Sequence, residues 1–183
     1  MANYYYADPD YERRQWWENY PSYHQRALLA LMLSKISIKA EVSDQELNAL
    51  LDVAIEKRMF VVKLLEKMGR ILDDFGIDKE GLELPKSSDN WYQTYPKQED
   101  NEIAERIHHA IRNKEDLTYD DLLELLDIMC HDVRLEGAIK NTYDRLREAC
   151  LTGLEKSGTV HLVIPGHTPY WDITKMFRYV ENE

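Results

Sequence analysis

The sequence predicts a mainly α-helical protein with two small β-hairpins, in which one order of elements is written twice. Three observations carry this. First, "LPKSSDNWYQT" (84–94) and "IPGHTPYWDIT" (164–174) share a phrase: an aliphatic residue, proline, five residues, tryptophan, two residues and threonine. Trp91 and Trp171 are half of the four tryptophans. Second, "VSDQELNALLDVA" (42–54) matches "LTYDDLLELLDIM" (117–129) at Leu47/Leu122, Leu50/Leu125, Leu51/Leu126 and Asp52/Asp127. Third, apolar residues recur at helical spacing before each phrase: Val61, Leu64, Leu65, Met68, Ile71 and Leu72 in one half, Leu146, Cys150, Leu151 and Leu154 in the other.

Each half then reads in the same order. A first apolar helix is expected in "SYHQRALLALMLSKI" (22–36) and again in "NEIAERIHHAIRN" (101–113). The second helix of each half starts at a cap, Ser43 or Thr118, with an acid three residues on, Glu46 or Asp121. A hydroxyl there accepts from an otherwise unpaired backbone N–H, and the acid suits the positive helix end. A third helix runs into glycine, Gly76 or Gly158, where positive φ is free of strain. The proline–tryptophan phrase follows as a hairpin, with "TVHLVI" and "YWDIT" as the strands of the second.

These elements divide the chain into an aromatic arm (1–19), a first module (20–95), a linker (96–101) and a second module (102–183). The linker lies in the polar, proline-bearing "YPKQEDN". Three small helices followed by a two-stranded wing resemble a winged-helix domain, and two in tandem resemble the tandem winged-helix proteins. The resemblance implies that Trp91 and Trp171 pin each wing onto its helices.

At 183 residues, with 44% hydrophobic and 31% charged residues, the chain is an ordinary globular sequence. Its net charge of −11 opposes loose binding to nucleic acid or anionic lipid. The longest obvious apolar run, "ALLALML" (27–33), is far short of a membrane span and reads as a core helix. The N-terminus lacks the pattern of a signal peptide, and two cysteines outside any paired metal-type motif suit a reducing, cytoplasmic or otherwise intracellular setting.

Chemistry finds little support. His131-Asp132, with His108, His109 and Asp144, resembles the scattered ligands of the HD phosphohydrolases, in which a metal activates water. Only about fifty residues follow, however, and the winged-helix reading uses them. Glu105 and His108 form a single Glu-x-x-His, where a di-iron bundle needs two. No nucleophile motif and no phosphate-cradling glycine loop occurs. No enzyme, metal or cofactor is expected.

Binding is the alternative. Trp16, Trp17 and Tyr20 close an aromatic N-terminal stretch; an arm folded onto the first module is the favoured reading, and a partner or dimer contact the alternative. In "EKRMFVVKLLEKMGRIL" (56–72), Lys57, Arg58, Lys63, Lys67 and Arg70 are candidate nucleic-acid contacts, with 63, 67 and 70 at one-face spacing. Residues 100–136 carry eleven acids against four bases and repel a phosphate backbone. Acidic winged helices resemble the interaction subunits of chromosome-organising SMC complexes and of the ESCRT-II complex. That implies a protein-binding adaptor within a multi-subunit complex, without membrane insertion. A DNA-binding regulator acting as a homodimer and an acidic mimic of nucleic acid are the alternatives.

Overall fold

The computed structural model describes residues 16–74, 76 and 84–146 in full. Beyond these it describes the backbone of 147–152, 161–162 and 171–172. Among the described residues are four helices: α1 (Tyr23–Ser37), α2 (Asp44–Asp74), α3 (Gln98–Arg112) and α4 (Tyr119–Thr152). Single 3-10 turns, Trp16–Asn19 and Trp91–Gln93, precede α1 and α3.

The helical content agrees with the sequence, but the winged-helix architecture does not survive. The second and third helices expected in each half are one helix, of 31 residues in α2 and 34 in α4. No proline interrupts either span, and the buried stripe runs on to Leu72 in one and to Leu146 in the other. Among the described residues the first predicted wing is not found: residues 84–90 form no strand, and Trp91 sits in a 3-10 turn. Among the described residues the strand structure is a two-residue antiparallel pair, His161 opposite Asp172 and Leu162 opposite Trp171. Two full β-hairpins are therefore not found among the described residues.

What does recur is a different phrase at a different spacing. Trp16, Tyr20 and Pro21 in "WWENYP" stand 75 residues before Trp91, Tyr95 and Pro96 in "WYQTYP". The starts of α1 and α3, and of α2 and α4, are separated by the same 75 residues. Each short helix ends alike, with Lys39 (φ 55) and Lys114 (φ 56) in the left-handed region. Ala40 N donates to Lys35 O and Lys39 N to Ile36 O; Glu115 N donates to Ala110 O and Lys114 N to Ile111 O. This is the paired closure that satisfies the last carbonyls of a helix.

Both long helices begin in the predicted capping boxes. Ser43 Oγ accepts from Glu46 N at 3.1 Å while Glu46 Oε1 accepts from Ser43 N at 3.0 Å. Thr118 and Asp121 repeat this at 3.1 and 3.0 Å. Lys35 adds a 2.7 Å ion pair to Glu46, and these bonds pull the Glu46 carboxyl down to about 2.

Contacts divide the chain into two units, residues 1–60 with 86–133, and 61–85 with 134–183. The division cuts across both expected modules, because α2 and α4 each contribute to both units. In the first unit, the core gathers Trp16, Tyr20, Leu29, Met32, Leu50, Leu51, Trp91, Tyr95, Ile107, Leu125 and Leu126. There α2 and α4 run parallel. Tyr119, the first residue of α4, donates to the carbonyls of Lys39 and Ala40 just before α2, while farther along Arg58 meets Asp132. In the second unit, Val61, Leu65, Met68 and Leu72 pack with Leu135, Ile139 and Leu146. With buried Thr142, both stripes follow the 4-3-4 spacing of a heptad seam.

Candidate functional site

The sequence-derived contact residues divide sharply by burial. Trp16 and Tyr20 belong to the core of the first unit, and Trp17 packs half-buried against it. The 3-10 turn explains this: it stacks Trp16 edge-on against Tyr20 at 6.1 Å, as Trp91 stacks against Tyr95 at 6.3 Å. Arg26 donates to Tyr20 O at 2.6 Å, and Asn101, its counterpart 75 residues on, grips both backbone polar groups of Tyr95 at 2.9 Å. These aromatics are structural. Residues 1–15 of the predicted arm lie outside the described residues, as does the second tryptophan phrase apart from its Trp171–Asp172 backbone.

Arg58 is also removed from the candidate nucleic-acid contacts, being buried in the first unit with Asp132. Its Nη1 donates to Asp132 Oδ1 at 2.9 Å, its Nε to Thr94 Oγ1 at 2.9 Å and its Nη2 to Thr94 O at 3.0 Å. The guanidinium lies 4.0 Å from the Tyr95 ring centroid, and Tyr95 OH donates to Asp132 Oδ2 at 3.4 Å. Burial pushes the Asp132 carboxyl up despite Arg58, and pushes the Tyr95 hydroxyl well above its usual range. Lys57 is buried as well, its Nζ 4.6 Å over the Tyr20 ring. Lys63, Lys67 and Arg70 remain exposed on α2, as do Glu66, Asp73 and Asp74 on the same helix.

The residues of the metal reading are not brought together. Asp132 is engaged by Arg58, and His108 Nδ1 accepts from Trp91 Nε1 at 3.1 Å. Among the described residues no group of three or more His, Cys, Asp or Glu is placed to hold a metal ion. No helix among them is long and apolar enough to cross a membrane.

The feature that sequence reasoning passed over is the outer face of α1. The run "ALLALML" reads as core, and Leu29 and Met32 are indeed buried, with Ile36 beyond them. The helix is apolar on its other side too. Its exposed residues, from the first turn to the residue after its end, are Tyr23, His24, Ala27, Ala30, Leu31, Ser34, Ser37 and Ile38. Tyr23 is 73% exposed, Leu31 45% and Ile38 74%. No Asp, Glu, Lys or Arg stands among them. Arg26 and Lys35 lie half-buried on the flanks, turned to Tyr20 O and to Glu46.

Helix α3, at the same place in the recurring order, is the internal comparison. Its exposed residues are Gln98, Glu99, Glu102, Glu105, Arg106, His109 and Arg112. They are tied into surface ion pairs, Arg106 to Asp121 at 2.6 Å and Arg112 to Asp52 at 2.7 Å. The same position thus carries charged chemistry in one half and an uncharged apolar stripe in the other. A surface helix normally sets polar residues opposite its buried stripe, and α3 does so. The signal for α1 was present in the sequence: eight of the residues from 27 to 36 are Ala, Leu, Met or Ile, more than one helix face can bury. Compared with known proteins, the chain matches no protein family, no curated protein and no solved structure.

Proposed function

We propose that this chain is a non-catalytic protein-interaction adaptor or complex subunit, and that the outer face of α1 is where a protein partner binds. The carrying observation is the uncharged stripe Tyr23–Leu31–Ile38 on a chain of net charge −11, set against the fully polar face of α3. Contiguous exposed apolar surface on a water-facing helix marks an interaction site more often than an accident of composition. Binding a protein there removes apolar area from water without desolvating any charge. We read the 75-residue recurrence of turns, caps and helices as an internal duplication, in which α1 and α3 have diverged in surface chemistry.

The test is affinity capture with the intact chain from extract of the source cells, with and without nuclease treatment, wild type beside Leu31→Glu/Ile38→Glu. Both residues are exposed, so the pair changes stability by no more than about 1 kcal/mol. The expected result is loss of the bound protein with the melting temperature held. Retention by the double variant places the partner elsewhere. Capture that depends wholly on nucleic acid moves the function to Lys63, Lys67 and Arg70, the exposed basic residues at one-face spacing on α2.

A further inference from the structure

We infer that the Trp91–His108 hydrogen bond is a pH-operated latch: a second proton on the His108 ring releases residues 91–95 while the helices of the first unit stay folded. This stands apart from the reading of the α1 face and needs no partner.

The ring nitrogens fix the sign. Trp91 Nε1 donates to His108 Nδ1 at 3.1 Å, so the neutral imidazole carries its one proton at Nε2. The imidazolium carries a proton on each nitrogen, and two N–H groups then point at each other. Helix α3 holds His108 half-buried, with the Tyr92 ring 5.2 Å away and His109 edge-on at 5.3 Å. The charged groups about it are Arg112 and His109 on its own helix, and both oppose a further positive charge. The nearby carboxylates are turned to those two: Glu105 stands 3.8 Å from His109, and Asp52 of α2 stands 2.7 Å from Arg112. On the side of the turn, Tyr92 is the titratable group that faces it.

From the histidine the bond leads into a short segment. Thr94 Oγ1 donates to Trp91 O at 2.7 Å, and Thr94 accepts two of the hydrogen bonds of buried Arg58. Tyr95 stacks on Trp91 and is held by Asn101. Displacing Trp91 therefore reaches Thr94, Tyr95 and Arg58 in turn. The helices are held by their own backbone ladders, whereas a three-residue 3-10 turn opens at lower cost. The first half supplies the comparison. Leu33 stands 75 residues before His108, and Trp16 Nε1 is buried with no acceptor among the described residues. An indole thus keeps this place in the core without an acceptor, but Trp16 has no imidazolium at that position to oppose it. Of the two turns, the second alone is paired with a group that changes from acceptor to donor where histidine titrates.

The experiment is amide hydrogen exchange read by NMR on the intact protein, from about pH 7.5 to about pH 5, wild type beside His108→Gln. The glutamine oxygen can accept from Trp91 and does not titrate. The reporters are the hydrogen-bonded amides of Gln93, Thr94 and Tyr95, with those of buried Leu50 and Leu125 as the measure of global unfolding. Wild-type protection at 93–95, corrected for the intrinsic rate, is expected to fall by up to about tenfold per pH unit below 6.5. It is expected to lie below that of Leu50 and Leu125 at every pH, and to stay level in His108→Gln. Three results overturn the latch: no fall in wild type, an equal fall in the variant, or protection at 93–95 equal to that of Leu50 and Leu125. The wild-type indole signals give a test that does not depend on the variant folding. The Trp91 Nε1–H resonance is expected to shift with the titration of His108 while that of Trp16 holds, and a Trp91 signal indifferent to it overturns the proposal.

Discussion

Arg58 and Asp132 sit where a helix stripe calls for leucine, and the chain satisfies both with the same few atoms. Thr94 takes two of the arginine's hydrogen bonds, Asp132 a third, and Tyr95 covers the guanidinium plane. A buried pair of this kind gives little net stability, since desolvating two ions offsets most of their attraction, but losing one partner leaves an uncompensated buried charge. Asp132→Ala is therefore expected to cost about 3–5 kcal/mol, and Arg58→Met/Asp132→Leu to recover most of that loss. Urea unfolding of the three proteins decides it. A single variant within about 1 kcal/mol of wild type would mean that water reaches the pair. The same two residues explain why the long helices escaped the sequence reading. Apolar periodicity along 44–74 and 119–152 is broken at 58 and 132 by charges, which read as a surface or a boundary. They are instead the two halves of one buried contact, 74 positions apart in the chain and invisible to local pattern.

Among the elements, the short helices show how much local chemistry was legible. Ser43 with Glu46 and Thr118 with Asp121 announce their capping boxes directly, because a cap is a contact across three residues. The turns before them were not legible. Glycine usually occupies the left-handed position that closes a helix, and here Lys39 and Lys114 take it. The tryptophan phrase misled for a related reason. Matching proline and threonine around Trp91 and Trp171 pairs residues by spacing alone, whereas Trp91 shares its turn, its stacked tyrosine and its following proline with Trp16. The strained lysines give a prediction. A side chain in that conformation costs roughly 1–2 kcal/mol, of which glycine returns part through unfolded-state entropy. Lys39→Gly and Lys114→Gly are each expected to stabilise the protein by about 0.5–1 kcal/mol, additively, since the two turns share no contact among those described. Thermal melts of the single and double variants measure it. A fall in melting temperature would show that the lysine side chains hold their turns through contacts of their own.

For the whole molecule, the titrating groups set a stability plateau whose edges can be located. His108 is depressed below the usual 6.5, first by burial and then by Arg112 and His109, and its Nδ1 must stay unprotonated to accept from Trp91. A depressed group contributes stability above its unfolded value that is lost as pH falls through its folded one. The first decline therefore begins near pH 6.5. Glu46, pulled down to about 2, and Asp121, lowered from 3.8, add a second decline from about pH 4.5 downward. On the alkaline side Tyr143, raised to about 12 chiefly by burial, contributes stability that is lost as pH climbs above 10. Unfolding free energy measured in urea from pH 4 to pH 10.5 is expected to be flat between about 7 and 10 and to fall on both sides. His108→Gln isolates the first step, since its amide oxygen can still accept from Trp91 but does not titrate. The decline between pH 6.5 and 5 should flatten in that variant while the lower one persists. An unaltered slope would assign the first step to another histidine and leave the Trp91–His108 bond without a role in acid stability.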